Sequence, residues 1–399
     1  MHERFMKPDR TLLNRQERIC AQGWPGTNSK RQSAFVNGVW PSHASRGQGP
    51  YLWDAWGNRY IDFIGALGPS ILGYSHPAVN EAVIQAVKNG GIFSLPSHLE
   101  VEVAEELGDW LGIEKMRFFL NGSDATNAAI RIARTHTNSL WVESDGYHGT
   151  DDLWTSLTPP ALGCPSSKEL MISKLEDHER NVPINIAIIE PVTLDAGKER
   201  KEYLEGLTAN VLIYDEIVTG TRVPKGTIAK WWGLKPDIIC LGKGLGSGFP
   251  ISVVGGKREV MDCGEYFLSR TFASHPVSLA ACQATMRELK KKSIEDLFFY
   301  SQRFQQRLND TCKEIGVEWV GYGTRCQMND VGEIGGKALL MQEACKAGIL
   351  FGTALYYSFA HLEAQLDEQT LNIVGDCVNR IRMGQVEMEG IPPQSSFKR

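Results

Sequence analysis

The stretch Val211–Ile251, VLIYDEIVTGTRVPKGTIAKWWGLKPDIICLGKGLGSGFPI, decides how the chain reads. It holds two apolar runs, Val211 to Tyr214 and Ile238 to Leu241, each of a length suited to a buried strand. Uninterrupted runs of this kind fit parallel strands covered on both faces, and in such sheets ligands gather at the carboxyl ends of strands. The first run delivers Asp215 and Glu216 at that end, and the second delivers Lys243 just beyond Gly242. An acid and an amine are therefore expected to converge on one ligand site. The glycines Gly242, Gly244, Gly246 and Gly248 do not spell G-x-G-x-x-G, and Gly244 after Lys243 breaks G-x-x-x-x-G-K-[ST], so neither nucleotide motif is met.

The pairing matches one chemistry in particular. Lys243 would form an imine with the aldehyde of pyridoxal phosphate, and Asp215 would sit against the protonated ring nitrogen. A carboxylate there keeps the ring cationic, able to absorb the electron pair released at a substrate's α carbon. A solvated loop lysine and a turn-forming aspartate are the plain alternative for the same two positions.

Outward from this stretch, strand and helix patterns alternate. A helix is expected from Pro77, with Val79, Val83, Ala86 and Val87 on one face and Gly90 as its stop. A second follows the S-x-x-E of Ser97 and Glu100, with Leu99, Val103, Leu107 and Trp110 on one face. Met116 to Leu120 reads as a strand, Asn121-Gly122-Ser123-Asp124 as a turn, and Ala125 to Ala133 as a helix. A glycine turn opening a helix offers free N–H groups to a phosphate; Ser123 as an ordinary N-cap is the alternative. Further strands are expected at Leu140 to Val142, Ile184 to Ile189 and Ile251 to Val254. Tyr147, just past one of them, is placed either to lie flat on a ligand ring or to pack as a loop residue.

The fold class expected is α/β: an N-terminal arm and hairpin segment over 1–76, a large domain over 77–281, and a smaller α/β domain over 282–399. The large domain would carry a mostly parallel central sheet with helices on both faces. Residues 1–30 read as a surface arm with a turn at Trp24-Pro25-Gly26, and Tyr51 to Phe63 as a hairpin around Gly57-Asn58. The tail after Gly390 reads as loose.

Composition narrows the function classes. With 399 residues, 42% apolar and 22% charged, the chain is an ordinary soluble one with a large core. A net charge of −5 gives no global pull toward nucleic acid and favours a small-molecule partner. Nine cysteines without a C-x-x-C argue against a disulfide framework or a zinc site and fit a reducing cytoplasm. MHERFMKPDR lacks a secretory pattern, and no apolar run approaches the roughly 18 residues a membrane span needs.

In order along the chain, WDAWGNRYIDF, GPSILGYSHP, FFLNGSDATNAAIRIAR, YHG, IIEPV, LIYDEIVTGTRV, PDIICLGKGLGSGFPISVVGG and TFASHPVSLAA resemble the blocks of the class III pyridoxal-phosphate aminotransferases of fold type I, most closely the glutamate-1-semialdehyde 2,1-aminomutase-like enzymes. The resemblance implies pyridoxal 5'-phosphate as cofactor, Lys243 as its Schiff-base lysine and Asp215 as the partner of the ring nitrogen. It places Ile217 under the ring, Tyr147 on the opposite face, Gly122 and Ser123 on the phosphate, and Glu190 near the active site. Thr271 would reach the phosphate of the neighbouring subunit's cofactor, which implies a homodimer with active sites at the subunit interface. No metal is implied, and the partner is a small amino substrate.

The departures fall on the substrate side. Arg270 replaces a glycine beside Thr271, Leu67 stands where the aminomutases have Trp, and Asn28-Ser29-Lys30-Arg31 replaces N-S-P-V-R, displacing the candidate carboxylate-binding Arg31. Amino-group transfer is the leading reaction, with decarboxylation or 2,1-aminomutation of an amino-acid-like substrate as the enzymatic alternative. Retention of both Lys243 and Asp215 weighs against a pyridoxal-phosphate-binding protein without chemistry.

Overall fold

The computed structural model describes residues 11–23, 26–158, 161–179, 182–193, 197–331 and 335–394. The expected turn at Trp24-Pro25 and the end of the tail lie outside the described residues. The chain forms two compact units: one takes 68–71 and 76–298, and the other joins the N-terminal segment up to Leu67 and residues 72–75 to the part from Phe299 onward.

The larger unit is built on a seven-stranded sheet of β1 (Lys115–Phe119), β2 (Val142–Asp145), β3 (Ile172–Lys174), β4 (Ile186–Ile189), β5 (Val211–Asp215), β6 (Ile238–Leu241) and β7 (Ser252–Gly256), in the order β1-β7-β6-β5-β4-β2-β3. Neighbours from β2 to β6 pair in parallel, and β7 runs antiparallel to both β1 and β6. Its helices include α1 (Pro77–Lys88), α2 (His98–Leu111), α3 (Gly122–Thr137), α4 (Lys198–Gly206) and α5 (Pro276–Lys290).

Strand periodicity sends alternate residues to opposite faces, which explains why the apolar runs are continuous. Ile186, Ile188, Val211, Ile213, Ile238 and Cys240 pack against Ala125, Ala128, Ala129 and Ile132 of α3. Ile239 and Leu241 face the other way, onto Val103 and Leu107 of α2 and Leu279 and Met286 of α5. Ala187, Ile189 and Tyr214 meet Leu204 of α4. Each fully buried Ile or Leu contributes about 2 kcal/mol, so both faces must be covered for the sheet to persist. The expected parallel sheet with helices on both faces is the one found.

Several boundaries differ from the sequence reading. The strand expected at Leu140 to Val142 instead begins at Val142 and runs to Asp145, while Leu140 and Trp141 are exposed. Its interior is polar: Glu143 is buried, accepting from Ser173 Oγ and pairing with His178 Nδ1 at 3.0 Å, so a satisfied carboxylate occupies a core position. The fourth strand starts at Ile186 rather than Ile184, and the seventh at Ser252 rather than Ile251. The third helix opens at Gly122 rather than Ala125, because Asn121 is its N-cap and accepts from the Asp124 N–H at 2.9 Å.

In the smaller unit, the expected hairpin pairs Tyr51–Asp54 with Arg59–Asp62. Ile349 and Leu350 add in parallel to Ile61 and Asp62, which fastens the hairpin to the C-terminal part of the chain. Phe63 is fully buried there, stacked on Phe304, Phe351 and His361. Within the N-terminal arm, residues 11–23 are more ordered than their composition implies. Thr11–Ile19 is a helix whose buried residue is Gln16, with its amide donating to Gly23 O at 2.9 Å and bonding His43 Nε2 at 3.0 Å.

Candidate active site

Because β5 and β6 pair in parallel with Asp215 opposite Cys240, Asp215 and the Gly242–Lys243 turn leave the sheet on the same edge. Asp215 is 3% exposed, and a carboxylate so buried needs fixed hydrogen-bond donors. It has two. His148 Nδ1 donates to Oδ2 at 2.8 Å, and the Ile217 N–H donates to Oδ1 at 3.1 Å. Each oxygen keeps a further lone pair for a ligand N–H. The bond fixes the His148 tautomer, and its buried Nε2 finds no hydrogen-bond partner among the described residues.

Lys243 starts a single 3-10 turn, Lys243–Gly246, with φ of 40°. The left-handed region costs a non-glycine residue about 1–2 kcal/mol, and strain of this sort concentrates at functional sites. Packing holds it: a Cβ on Gly244 would collide with Thr221 Oγ1, and Leu245 N–H bonds Gly242 O at 3.0 Å.

One side chain joins these parts. Ile217 approaches so closely that a Cβ on Gly122 would lie 2.6 Å from its Cδ1, and a Cβ on Gly242 would lie 3.4 Å from its Cγ2. Asp215, the opening of α3 and the turn before Lys243 therefore share one wall. The first turn of α3 presents free N–H groups at the positive end of the helix dipole. Ser123 Oγ there accepts from the Thr150 N–H at 3.2 Å, and Thr126 Oγ1 donates to His148 O at 2.7 Å, which lays the 147–150 loop against the helix.

Tyr147 is 39% exposed, so part of its ring is open to a ligand. Partial burial and the nearby Asp215 carboxylate push its phenol up. Glu190 is buried just past β4, with an oxygen 3.5 Å from the Tyr147 N–H. Thr271 is exposed on the turn 271–274, and its loop is linked to the cluster through Arg270, which pairs with Asp124 in the first turn of α3 at 3.0 Å. Arg31 and Leu67 belong to the smaller unit, where Arg31 bonds Gln22 at 3.1 Å. Among the described residues, no group of three or more His, Cys, Asp or Glu is placed to hold a metal ion, and no helix is long and apolar enough to cross a membrane.

Two residues given no role by sequence reasoning belong here. His148 stands inside the YHG block, and only the parallel alignment of strands reveals that it reaches Asp215. Glu216, fully buried, accepts from Thr219 Oγ1 at 2.8 Å, Ile228 N–H at 2.7 Å and Ala229 N–H at 2.9 Å. Burial dominates and pushes its carboxyl up to about 7, while those bonds pull it down. It latches the loop that carries Thr221 to the site.

Pyridoxal phosphate fits these residues: a buried, held acid for the ring nitrogen, an amine on a strained turn, an aliphatic wall at Ile217 and a helix opening narrowed by glycine for the phosphate. A parallel sheet carrying this set defines a pyridoxal-phosphate-dependent transferase of fold type I. Solved structures share the fold: the FumI protein of Sphingopyxis sp. MTA144, in its internal aldimine form, aligns with TM-score 0.85 over 96% of this chain and 98% of its own at 22% identity. A glutamate-1-semialdehyde aminomutase from Pseudomonas aeruginosa in complex with PMP aligns with TM-score 0.74 over 92% and 93% at 19% identity. The chain belongs to the class-III aminotransferases, whose family model matches residues 36–171 and 164–354. It is similar to glutamate-1-semialdehyde 2,1-aminomutases from Fusobacterium nucleatum subsp. nucleatum, 32% identical over 77% of this chain and 78% of the relative, and from Laribacter hongkongensis, 34% identical over 74% and 78%. Its cofactor is pyridoxal 5'-phosphate.

Proposed function

We propose that the chain moves an amino group between an amino donor and a carbonyl acceptor, with Lys243 as the covalent anchor of the cofactor and the carrier of the α proton. The observation that supports this best is the shared wall at Ile217, which brings Asp215, Gly122 and the Gly242–Lys243 turn together. When bound, pyridoxal phosphate supplies an aldehyde for amines and a cationic ring that stores an electron pair. Asp215, held by His148, keeps a proton at the ring nitrogen. Lys243 Nζ, freed when a donor amine takes its place, would accept the proton from the substrate's α carbon and deliver it to the carbon that was the cofactor's aldehyde carbon. Ile217 and Tyr147 hold the ring between them, and Tyr147 excludes water from one face. Gly122 N–H, Ser123 N–H and Ser123 Oγ bind the phosphate. Glu190, buried beside the Tyr147 N–H, stands near the cofactor.

The working form in this reading is a cytoplasmic homodimer. Thr271 serves the neighbouring subunit's phosphate from a loop pinned by Arg117 to Leu268 O, Arg131 to Phe267 O and Arg270 to Asp124. Phe267 and Phe272 on that loop, with Ile92, Phe93 and Leu95 between α1 and α2, expose the apolar surface a second copy would cover. Nine free cysteines suit a reducing compartment. The names of its relatives make internal amino transfer, as in a 2,1-aminomutase, the second reading. A panel of amino acids and amines, each mixed with the loaded protein and followed by absorbance, tests the proposal. Conversion to pyridoxamine phosphate with release of a carbonyl product supports transfer. Release of carbon dioxide, or no spectral change with any donor, contradicts it.

A further inference from the structure

From the ends of β2 and β4 we infer that Arg200 is a positioning residue for this site: it sets the Tyr147 ring and the Glu190 carboxylate by tying together the two strand ends that carry them. The inference rests on the functional reading above for its consequence, but not for its geometry.

β2 and β4 are neighbours, and both stop at the site edge. The ladder runs one step past β4, with Glu190 N–H donating to Asp145 O at 2.8 Å. Beyond it the carbonyls of Glu190 and Pro191 have left the sheet, and buried carbonyls need donors from elsewhere. Arg200 of α4 supplies them. Its Nη2 donates to Glu190 O at 2.8 Å and to Asp145 Oδ2 at 2.9 Å, and its Nε donates to Pro191 O at 3.0 Å. The side chain is only 15% exposed and lies 5.2 Å from the Tyr203 ring. A planar guanidinium can serve three acceptors in fixed directions, which an ammonium on a flexible stem cannot.

The two ends are in close contact where they are tied. Gly146 has φ of 118°, and a Cβ there would lie 2.6 Å from Glu190 Cβ. Only this glycine separates Asp145, held by Arg200, from Tyr147, whose N–H faces Glu190 Oε2 at 3.5 Å. A rotation of the 145–147 segment would carry the Tyr147 ring off the cofactor and His148 off Asp215. The Arg200–Asp145 pair is partly exposed, so its worth lies in direction more than in energy.

The test compares Arg200→Met, Arg200→Lys and Asp145→Asn in the full chain, with Lys201→Ala as a control on the same helix. Three quantities are read: the visible circular dichroism of bound pyridoxal phosphate per cofactor, its dissociation constant, and hydrogen exchange of the 145–149 and 190–192 amides in the cofactor-free protein. Loss of charged hydrogen bonds predicts that Arg200→Met raises the dissociation constant about tenfold. It should also at least halve the dichroism and speed exchange in both segments, with partial recovery in Arg200→Lys, an intermediate effect in Asp145→Asn, and wild-type behaviour in Lys201→Ala. Unchanged exchange in Arg200→Met overturns the inference, as does a lower melting temperature with unchanged dichroism per cofactor, the mark of a structural role alone. Failure of the wild type to bind pyridoxal phosphate would strike the functional reading instead, and the exchange data would still decide the clamp.

Discussion

Replacing Glu216 by Ala will remove the acceptor that holds the 216–229 loop. Both carboxylate oxygens are used: Oε1 accepts from Ala229 N–H at 2.9 Å, and Oε2 accepts from Ile228 N–H at 2.7 Å and Thr219 Oγ1 at 2.8 Å. The threonine hydroxyl can turn to another acceptor, but the two backbone N–H groups belong to buried residues and cannot. An orphaned buried donor costs about 1–3 kcal/mol, so the substitution should cost about 2–6 kcal/mol. The loss is local before it is global, because Thr221 of the same loop packs on Gly244 in the Lys243 turn. Native-state hydrogen exchange at Ile228 and Ala229, with urea unfolding of the cofactor-free protein, measures both effects. Full protection of those two amides in Glu216→Ala, with unfolding within about 0.5 kcal/mol of wild type, would refute the reasoning.

Further outcomes follow from the same geometry. Glu216 is pushed up to about 7 from an ordinary 4.5, so folding takes up a proton between those values and stability falls as pH rises through that window; Glu216→Gln should flatten the slope in urea midpoints from pH 5 to 8. His361 has the opposite sign. Its Nδ1 accepts from Ser358 N–H, its Nε2 donates to Asp62 O, and burial lowers it to about 4, so its share of stability is complete above 6.5 and lost as pH falls toward 4, a loss His361→Gln should lack in the same midpoints. In Gly149→Ala the new Cβ would collide with Ser123 Oγ at a backbone φ of 136°, and a strain of about 1–3 kcal/mol should weaken pyridoxal phosphate binding by about fivefold to a hundredfold, read by titration of the cofactor-free protein.

What the sequence made legible was what burial of apolar surface dictates. The runs at 211–214 and 238–241 face two helical layers, so they had to be uninterrupted, and the charged residues that end them had to emerge at one edge. Pro77 and Ser97 opened their helices as expected, Ser97 by accepting from Leu99 N–H at 3.3 Å. What stayed hidden were polar residues buried through hydrogen bonds, which leave no hydrophobic period. Glu143 inside β2, Gln16 under the N-terminal helix, His148 behind Asp215 and Arg200 across two strand ends are all of this kind. Their partners lie 7 to 67 residues away in the chain, and only the fold brings each pair together.

The most direct measurement of the central claim is borohydride reduction of the protein loaded with pyridoxal phosphate, followed by peptide mass mapping, in wild type and in Lys243→Ala. One modified peptide, carrying the cofactor on Lys243, is expected in the wild type, and no such adduct in the variant. Cofactor fixed to a different lysine, or an equal yield of adduct in Lys243→Ala, would contradict it.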